Sequence, residues 1–357
     1  MPLLNGGAFL QPAIDSVLAQ RGPSFELLIV DDGSVDGGPE RAERLADPRI
    51  HVIRNARRTG LAAALNVGLA RARGEFVARL DADDVARPAR LEQQVGFLRS
   101  HPQVALVGSQ ARLIDETGAV IGTVERSRED ASIRWYSMWD NPFIHSSVMF
   151  RRAEVAALGG YDESLRLCED WELWGRIMTR HGGCNLDEAL IDYRFSLASI
   201  TGAIESSTTH PRRPLFEEIT RRLVARHADL ILGADTVSPE DAKLMSGFSL
   251  GVNAAMLDAF LAGFVRLLDA FMRRHRQTAR TVDFHRTVAR QFDAIAYRVT
   301  PARRRHALRV YLAALGRGPA VARHVSWPRA IILALFGRSG RDRLRLVRNA
   351  SRTAKTA

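Results

Sequence analysis

Four short runs rich in aliphatic and β-branched residues, FELLIV (25–30), IHVI (50–53), FVARL (76–80) and VALVG (104–108), recur through the first third of the chain. Segments near 37–46, 60–73 and 88–100 separate them and carry apolar residues at helical spacing. Strand then helix, repeated, is the pattern of βαβ units, whose crossover helices cover a mostly parallel sheet. Pro88 and Pro102 stand where helices should begin or end, because proline has no N–H to give and disfavours helix in the residue before it. The expected class is α/β, a Rossmann-like doubly wound sheet. Such sheets bind ligands beyond the carboxyl ends of their strands. Two acidic clusters, Asp31-Asp32 and Asp81 to Asp84, directly follow strand-like runs, so both are expected to face one crevice.

From about residue 205 the texture changes to Ala, Leu and Arg at helical spacing, as in GVNAAMLDAFLAGFVRLLDAFMRRHR (251–276) and RRRHALRVYLAALGRG (303–318). We therefore expect an α/β domain over 1–204 and an all-helical region over 205–357. Charge divides at the same place: residues 1–204 hold 23 Arg and no Lys against 28 Asp and Glu, a net of −5, while the rest carries +16 of the chain's +11. The basic half suits an anionic surface, and its scattered arginines with few interleaved aromatics argue against base stacking, so nucleic acid is disfavoured as a partner. The late apolar run AIILALFG (330–337) is too short for a bilayer span of roughly 20 residues. With Trp327 before it and Arg338, Arg341, Arg343, Arg345, Arg348 and Arg352 after it, it fits a helix lying on an anionic membrane surface. A helix packed on its own domain fits equally.

Two cysteines, Cys168 and Cys184, supply neither a disulfide framework nor a zinc site, and no basic leader with a long apolar run is visible. The expected location is cytoplasmic, with peripheral attachment to the inner face of the cytoplasmic membrane as an option.

Three carboxylates in four residues, Asp81, Asp83 and Asp84, repel one another unless something positive sits among them. An oxygen-liganded divalent ion, Mn²⁺ or Mg²⁺, would reconcile them and leave coordination positions for water and a diphosphate. Upstream, VDDGSVDGG (30–38) sets a carboxylate pair at a strand end before a Gly-Ser turn that lets backbone approach a ligand. Asp32 is placed to accept hydrogen bonds from a base or ribose. A plain β-to-α turn capped by Asp36 is the competing reading.

In order along the chain stand PLLNG (2–6), SVLAQ (16–20), ELLIVDDGSVDGG (26–38), RRTGLAAALNVGLARARGEFVARLDADD (57–84), HSSVMFRR (145–152) and CEDWELWGRI (168–177). Together they resemble glycosyltransferase family 2, with its GT-A fold, over roughly residues 1–200. The resemblance implies an inverting transferase that moves a sugar from a nucleotide-diphosphate sugar donor to a hydroxyl of a glycan or lipid-linked acceptor. It assigns Asp32 to the nucleoside, Asp83 to the ribose and metal region, and Asp83 or Asp84 to direct metal contact. Asp81 opens the Asp-x-Asp pattern and is placed with the nucleotide sugar, as is Arg57 or Arg58, of which Arg58 is taken. Asp170 becomes the general base, since a sugar hydroxyl is a poor nucleophile until a positioned carboxylate takes its proton. Glu169 is expected to assist it, and His145, Trp171 and Trp174 to line the acceptor side. Read without the family pattern, Asp170 is equally a helix N-cap and the tryptophans are core.

The family pattern also has a strand ahead of Pro-x-x-Asn, which leads us to expect translation to begin upstream of Met1. Two other functional classes stay open: a nucleotidyltransferase, which would leave EDWELW without a task, and a basic membrane- or nucleic-acid-binding protein whose catalytic half has decayed.

Overall fold

The computed structural model describes residues 1–196, 209–233, 237–238, 245, 257–276, 278–298, 310, 313–314, 316–317 and 319–325. The chain divides into two compact units, residues 1–137 with 141–223, and residues 138–140 with those described from 224 on.

In the first unit, β1 (Pro2–Leu3), β2 (Leu27–Asp31) and β3 (Ile50–Arg54) form a parallel sheet with β2 at its centre. The helix α1 (Leu10–Leu18) buries Leu10, Ala13 and Ile14, the 3–4 spacing of one face. Leu10 and Ile14 make one apolar cluster with Leu3, Leu27, Ile29 and Ala42. Gly37 adopts φ +72° and Gly60 φ +100° at the starts of α2 (Gly38–Arg44) and α3 (Leu61–Arg71), conformations that a side chain would strain. Both helices start beyond strand ends, α2 after β2 and α3 after β3.

A second sheet runs β4 (Phe76–Ala78), β8 (Met149–Arg151), β6 (Val104–Ile114), β9 (Gly182–Arg194) and β5 (Val85–Ala86), with β7 (Val120–Val124) paired to β6. The parallel pair β6–β9 is flanked by antiparallel β8, β5 and β7, so the sheet is mixed. Helices α4 (Arg90–Ser100), α5 (Asp130–Ser137), α6 (Arg152–Ala157) and α7 (Glu169–Ile177) complete the unit. The four strands expected from sequence are β2, β3, β4 and β6, and the three expected helices are α2, α3 and α4. Between β2 and β4 the two sheets are not hydrogen-bonded, and a cavity of about 380 Å³ lies there, lined by Leu27, Leu28, Phe76, Val77, Met149 and Phe150 among others.

The boundary between the units falls inside α8 (Arg213–Leu232), and among the described residues the second unit's regular secondary structure is helical. In α9 (Leu257–Arg274), Leu257, Phe260, Leu261, Phe264, Leu267, Leu268 and Phe271 are buried. Each such side chain contributes about 1.5–3 kcal/mol. Phe264 packs edge-on to Phe292 of α10 (Val282–Arg298), with ring centroids 5.0 Å apart, and Phe271 stacks on Phe284 at 5.4 Å. A short α11 (Pro319–Ala322) follows. Trp327, the run 330–337, the arginines from 338 to 352 and most of the run 303–318 lie outside the described residues. No described helix is long and apolar enough to cross a membrane.

Candidate active site

Asp31 ends β2 and Asp32 follows it, and both are buried. Asp31 Oδ1 accepts the Ser34 N–H at 2.9 Å and fixes the turn. Asp32 receives four hydrogen bonds from one loop: Asn55 Nδ2, Thr59 N and Thr59 Oγ1 on its Oδ1 at 2.9, 2.8 and 2.7 Å, and Gly60 N on its Oδ2 at 2.8 Å. Burial pushes this carboxyl up, but the four donors outweigh it and hold it below the usual carboxylate range. Asp32 therefore organises the 55–60 loop and keeps acceptor capacity mainly on Oδ2. Arg58 rides on that loop, exposed, its Cβ 3.9 Å from where a side chain on Gly33 would begin. The structure thus brings Arg58 and Asp32 to one strand end.

The aspartates after β4 rest on a buried arginine. Arg79, 4% exposed, points a guanidinium nitrogen at Asp81 Oδ2 and donates to Ser146 Oγ at 2.9 Å. Ser146 donates in turn to Asp81 Oδ2 at 3.1 Å and accepts the Asp81 N–H at 3.0 Å. Arg79 is held by Arg90, whose guanidinium donates to the Arg79 carbonyl at 2.6 Å. Burial, and then the charge of Arg79, push Arg90 down to about 9. Part of the positive charge that the acidic run requires is therefore built into the protein.

That charge serves Asp81 and leaves Asp84 poorly matched. Asp84 is 1% exposed; its Oδ1 accepts the Arg194 N–H at 2.7 Å, while its Oδ2 is buried with no hydrogen-bond partner. Burial, followed by repulsion from Asp81 and Asp83, pushes Asp84 up to about 8. Asp83 is likewise raised, first by burial and then by Asp81. Arg194, at the end of β9, also donates Nε to the Asp83 carbonyl at 2.9 Å and so ties the loop to the second sheet. One carboxylate oxygen from each of the three aspartates lies within 4.8 Å of the others. An orphaned buried oxygen among three converging carboxylates is a donor set that fits a hard divalent cation.

The third cluster starts at α7. Cys168 takes the left-handed conformation, φ +60°, immediately before the helix, and so turns Glu169 and Asp170 onto its first turn, where the helix dipole favours negative charge. Asp170 Oδ1 accepts the Trp171 N–H and Oδ2 accepts Asn141 Nδ2, both at 2.7 Å. His145 Nδ1 lies 3.8 Å from Asp170 Oδ2 and 3.9 Å from Glu169 Oε1, and its Nε2 meets the Tyr161 hydroxyl at 3.1 Å. Burial raises both acids; Asp170 adds to the shift of Glu169, while the two donors and Arg79 oppose that of Asp170. Burial, then Arg79, hold His145 well below its ordinary value, so it is neutral.

The acidic run and the Glu169-Asp170 pair meet at the 3₁₀ turn His145–Ser147: Ser146 bonds Asp81, and its neighbour His145 faces Asp170. Trp171 and Trp174 are 3% and 0% exposed. Trp171 donates Nε1 to the Ser137 carbonyl at 2.9 Å, and Trp174 packs among Phe143, His145, Phe150 and Tyr161. Their indole faces are covered by protein in this structure, so they shape the site from beneath.

Sequence reasoning missed Arg79, Ser146, Arg194, Asn141 and Tyr161. The signal for Arg79 was present, an arginine inside an otherwise apolar strand directly ahead of three acids.

The chain matches the sequence family described as Glycosyl transferase family 2 over residues 1–156. It is 34% identical over 218 residues to the putative glycosyltransferase EpsE of Bacillus subtilis, covering 58% of this chain and 77% of that protein. It is 29% identical over 194 residues to the UDP-Gal:alpha-D-GlcNAc-diphosphoundecaprenol beta-1,3-galactosyltransferase of Escherichia coli, covering 53% of this chain and 69% of that protein. Among solved structures, S. aureus TarS 1-349 in complex with UDP-GlcNAc superposes with a TM-score of 0.53 at 18% identity, covering 95% of this chain and 90% of that one. The fold is that of a GT-A glycosyltransferase. The chain belongs to glycosyltransferase family 2 and is a glycosyltransferase acting on nucleotide sugars. Nucleotidyl transfer falls away.

Proposed function

We propose that the protein is a divalent-metal-dependent, inverting glycosyltransferase that passes a sugar from a nucleoside-diphosphate sugar to a hydroxyl of a glycan or lipid-linked acceptor. The observation that carries this reading is the single turn, His145–Ser147, that touches both the acidic run and the Glu169-Asp170 pair. Asp83 and Asp84 are the residues that would hold Mn²⁺ or Mg²⁺, with Asp81 kept in line by Arg79 and Ser146. When bound, the ion supplies positive charge to the departing diphosphate.

The chain's own groups do the rest. Asp32 accepts from the nucleoside and Arg58 reaches its phosphates or base. Asp170 takes the proton from the acceptor hydroxyl as that oxygen bonds to the anomeric carbon and the bond to the diphosphate oxygen breaks. One base on the face opposite the leaving group gives inversion. His145, neutral and hydrogen-bonded to Tyr161, serves as an uncharged acceptor-side contact between base and donor. Glu169, raised by burial and by Asp170, shares the base's proton.

The acceptor class follows the galactosyltransferase relative, whose name carries a lipid diphosphate acceptor. A cytoplasmic enzyme working at the inner membrane face, aided by the basic second half, is consistent with that acceptor. The test is nucleoside diphosphate release from a panel of nucleotide sugars with and without Mn²⁺, and the anomeric configuration of the product by NMR. Asp83→Ala and Asp170→Asn should each abolish turnover while donor binding survives in the latter. Retained turnover in Asp170→Asn, or a product of retained configuration, would remove the reading.

A further inference from the structure

We infer that Asn141 is a positioning residue that holds the Asp170 carboxylate in its reactive orientation; this rests on the reading of Asp170 as base. The Trp171 N–H on Oδ1 comes with the first turn of α7, but the bond from Asn141 Nδ2 to Oδ2 crosses 29 residues of sequence and is not dictated by the helix. The amide's orientation is set by its other end. Asn141 Oδ1 accepts the Phe143 N–H at 3.1 Å, so the oxygen faces a donor and the nitrogen must face the acid. The turn itself is anchored. The Pro142 carbonyl accepts buried Asn185 Nδ2 at 3.1 Å, and that same nitrogen donates to the Ser127 carbonyl at 2.7 Å. Phe143 is 2% exposed and packs edge-on to Trp174, ring centroids 6.0 Å apart. Asn141 is therefore a short arm on a fixed post.

Each carboxylate oxygen has two acceptor directions, so one bond to each leaves each oxygen one free direction for a substrate proton. The groups facing Asp170 are Glu169 on its own helix, His145 on the 145–147 turn, Tyr161, and Arg79 beyond β4. Arg79 favours the ionised base, Glu169 opposes it, and neutral His145 supplies no charge. Without Asn141, burial would keep Asp170 protonated to higher pH and the side chain would be free to turn toward His145, 3.8 Å away.

The test compares Asn141→Ala and the near-isosteric Asn141→Asp with wild type by kcat/KM against pH, alongside donor KM, Mn²⁺ activation and thermal unfolding. The expected result for Asn141→Ala is an acid limb moved up by about one pH unit or more. The rate deficit is then about tenfold at low pH and shrinks as pH rises, with donor KM and Mn²⁺ activation unchanged. Asn141→Asp, which adds a like charge, should move the limb further. It also answers for the alanine variant should that fail to fold. A deficit equal at every pH, or an unmoved limb in both variants, overturns the inference. Asp170→Asn separates the two levels: if it keeps turnover the base assignment itself fails, whereas if it is dead and the Asn141 profiles are unmoved, only the positioning role fails.

Discussion

Asp84→Asn should stabilise the metal-free protein and, in the same step, disable it. The wild-type carboxyl is raised from 3.8 to about 8, because burial and then two neighbouring acids penalise its charge more than Ser146 and the Arg194 N–H offset it. A folded-state pKa above the unfolded value means the native state binds the extra proton between about pH 4 and pH 8. Stability from this group is then present below that window and is lost as pH rises through it. The slope is about 1.4 kcal/mol per pH unit, so the full swing has an upper bound of about 6 kcal/mol, shared with Asp83 through their repulsion. Asparagine keeps the oxygen that accepts the Arg194 N–H and has no charge to lose. The assay is thermal unfolding of both proteins in EDTA at pH 5, 6, 7 and 8. Curves should already stand about 1–2 kcal/mol apart at pH 5 and separate further in favour of the variant as pH rises, at about 2–4 °C per kcal/mol for a domain of 150–250 residues. Adding Mn²⁺ at pH 8 should reverse the order, raising wild type alone. Parallel curves across the range, or a variant less stable at pH 8, would show that the aspartate cluster carries no electrostatic penalty for a cation to relieve.

In the wild type, kcat/KM should fall as pH drops through the raised range of the Glu169-Asp170 pair, since the base must be ionised; a profile flat between pH 6 and 8 would contradict this. Asp32→Ala removes the acceptor of four hydrogen bonds in the 55–60 loop, so donor KM should rise at least tenfold, more than kcat falls, as steady-state kinetics will show. Gly108→Ala should cost about 1–3 kcal/mol in unfolding free energy. Its methyl group would stand 2.2 Å from Asn185 Oδ1 and 2.8 Å from Phe143, and Asn185 is held by two hydrogen bonds and cannot retreat.

The first hundred residues are legible because their strands are short and apolar, and each is followed by a helix with its own turn residues. That pattern gave β2, β3, β4 and β6 and the α2, α3 and α4 helices between them. It did not give β9, whose thirteen residues alternate acidic, small and apolar side chains and include Asp187, Glu188 and Asp192 at strand positions. Long-range pairing with β6, and not local propensity, makes that segment a strand. The same asymmetry applies at the site. Asp32, Asp81, Asp83, Asp84, His145, Glu169 and Asp170 stand out in sequence because carboxylates and histidine cluster in short motifs. Ser146 and Asn141 act across 29 to 67 residues, and nothing in a linear pattern marks a partner at that distance, whereas Arg79 stands two residues from Asp81 and its signal was there to be read.

Placing Arg79 beneath the acidic run answers a design problem that a metal alone would leave open. A crevice held only by three aspartates would rely on a cation for its very geometry and would spring apart between turnovers, when product carries charge away. With Arg79 and Ser146 gripping Asp81, the loop keeps its shape and only Asp83 and Asp84 remain electrostatically unmet. The same guanidinium also favours the ionised form of Asp170 and adds to the burial that holds His145 below its ordinary value. One buried cation thus divides the site into a part that is permanently satisfied and a part that a ligand must complete, which is the condition for a site that is preorganised yet still binds.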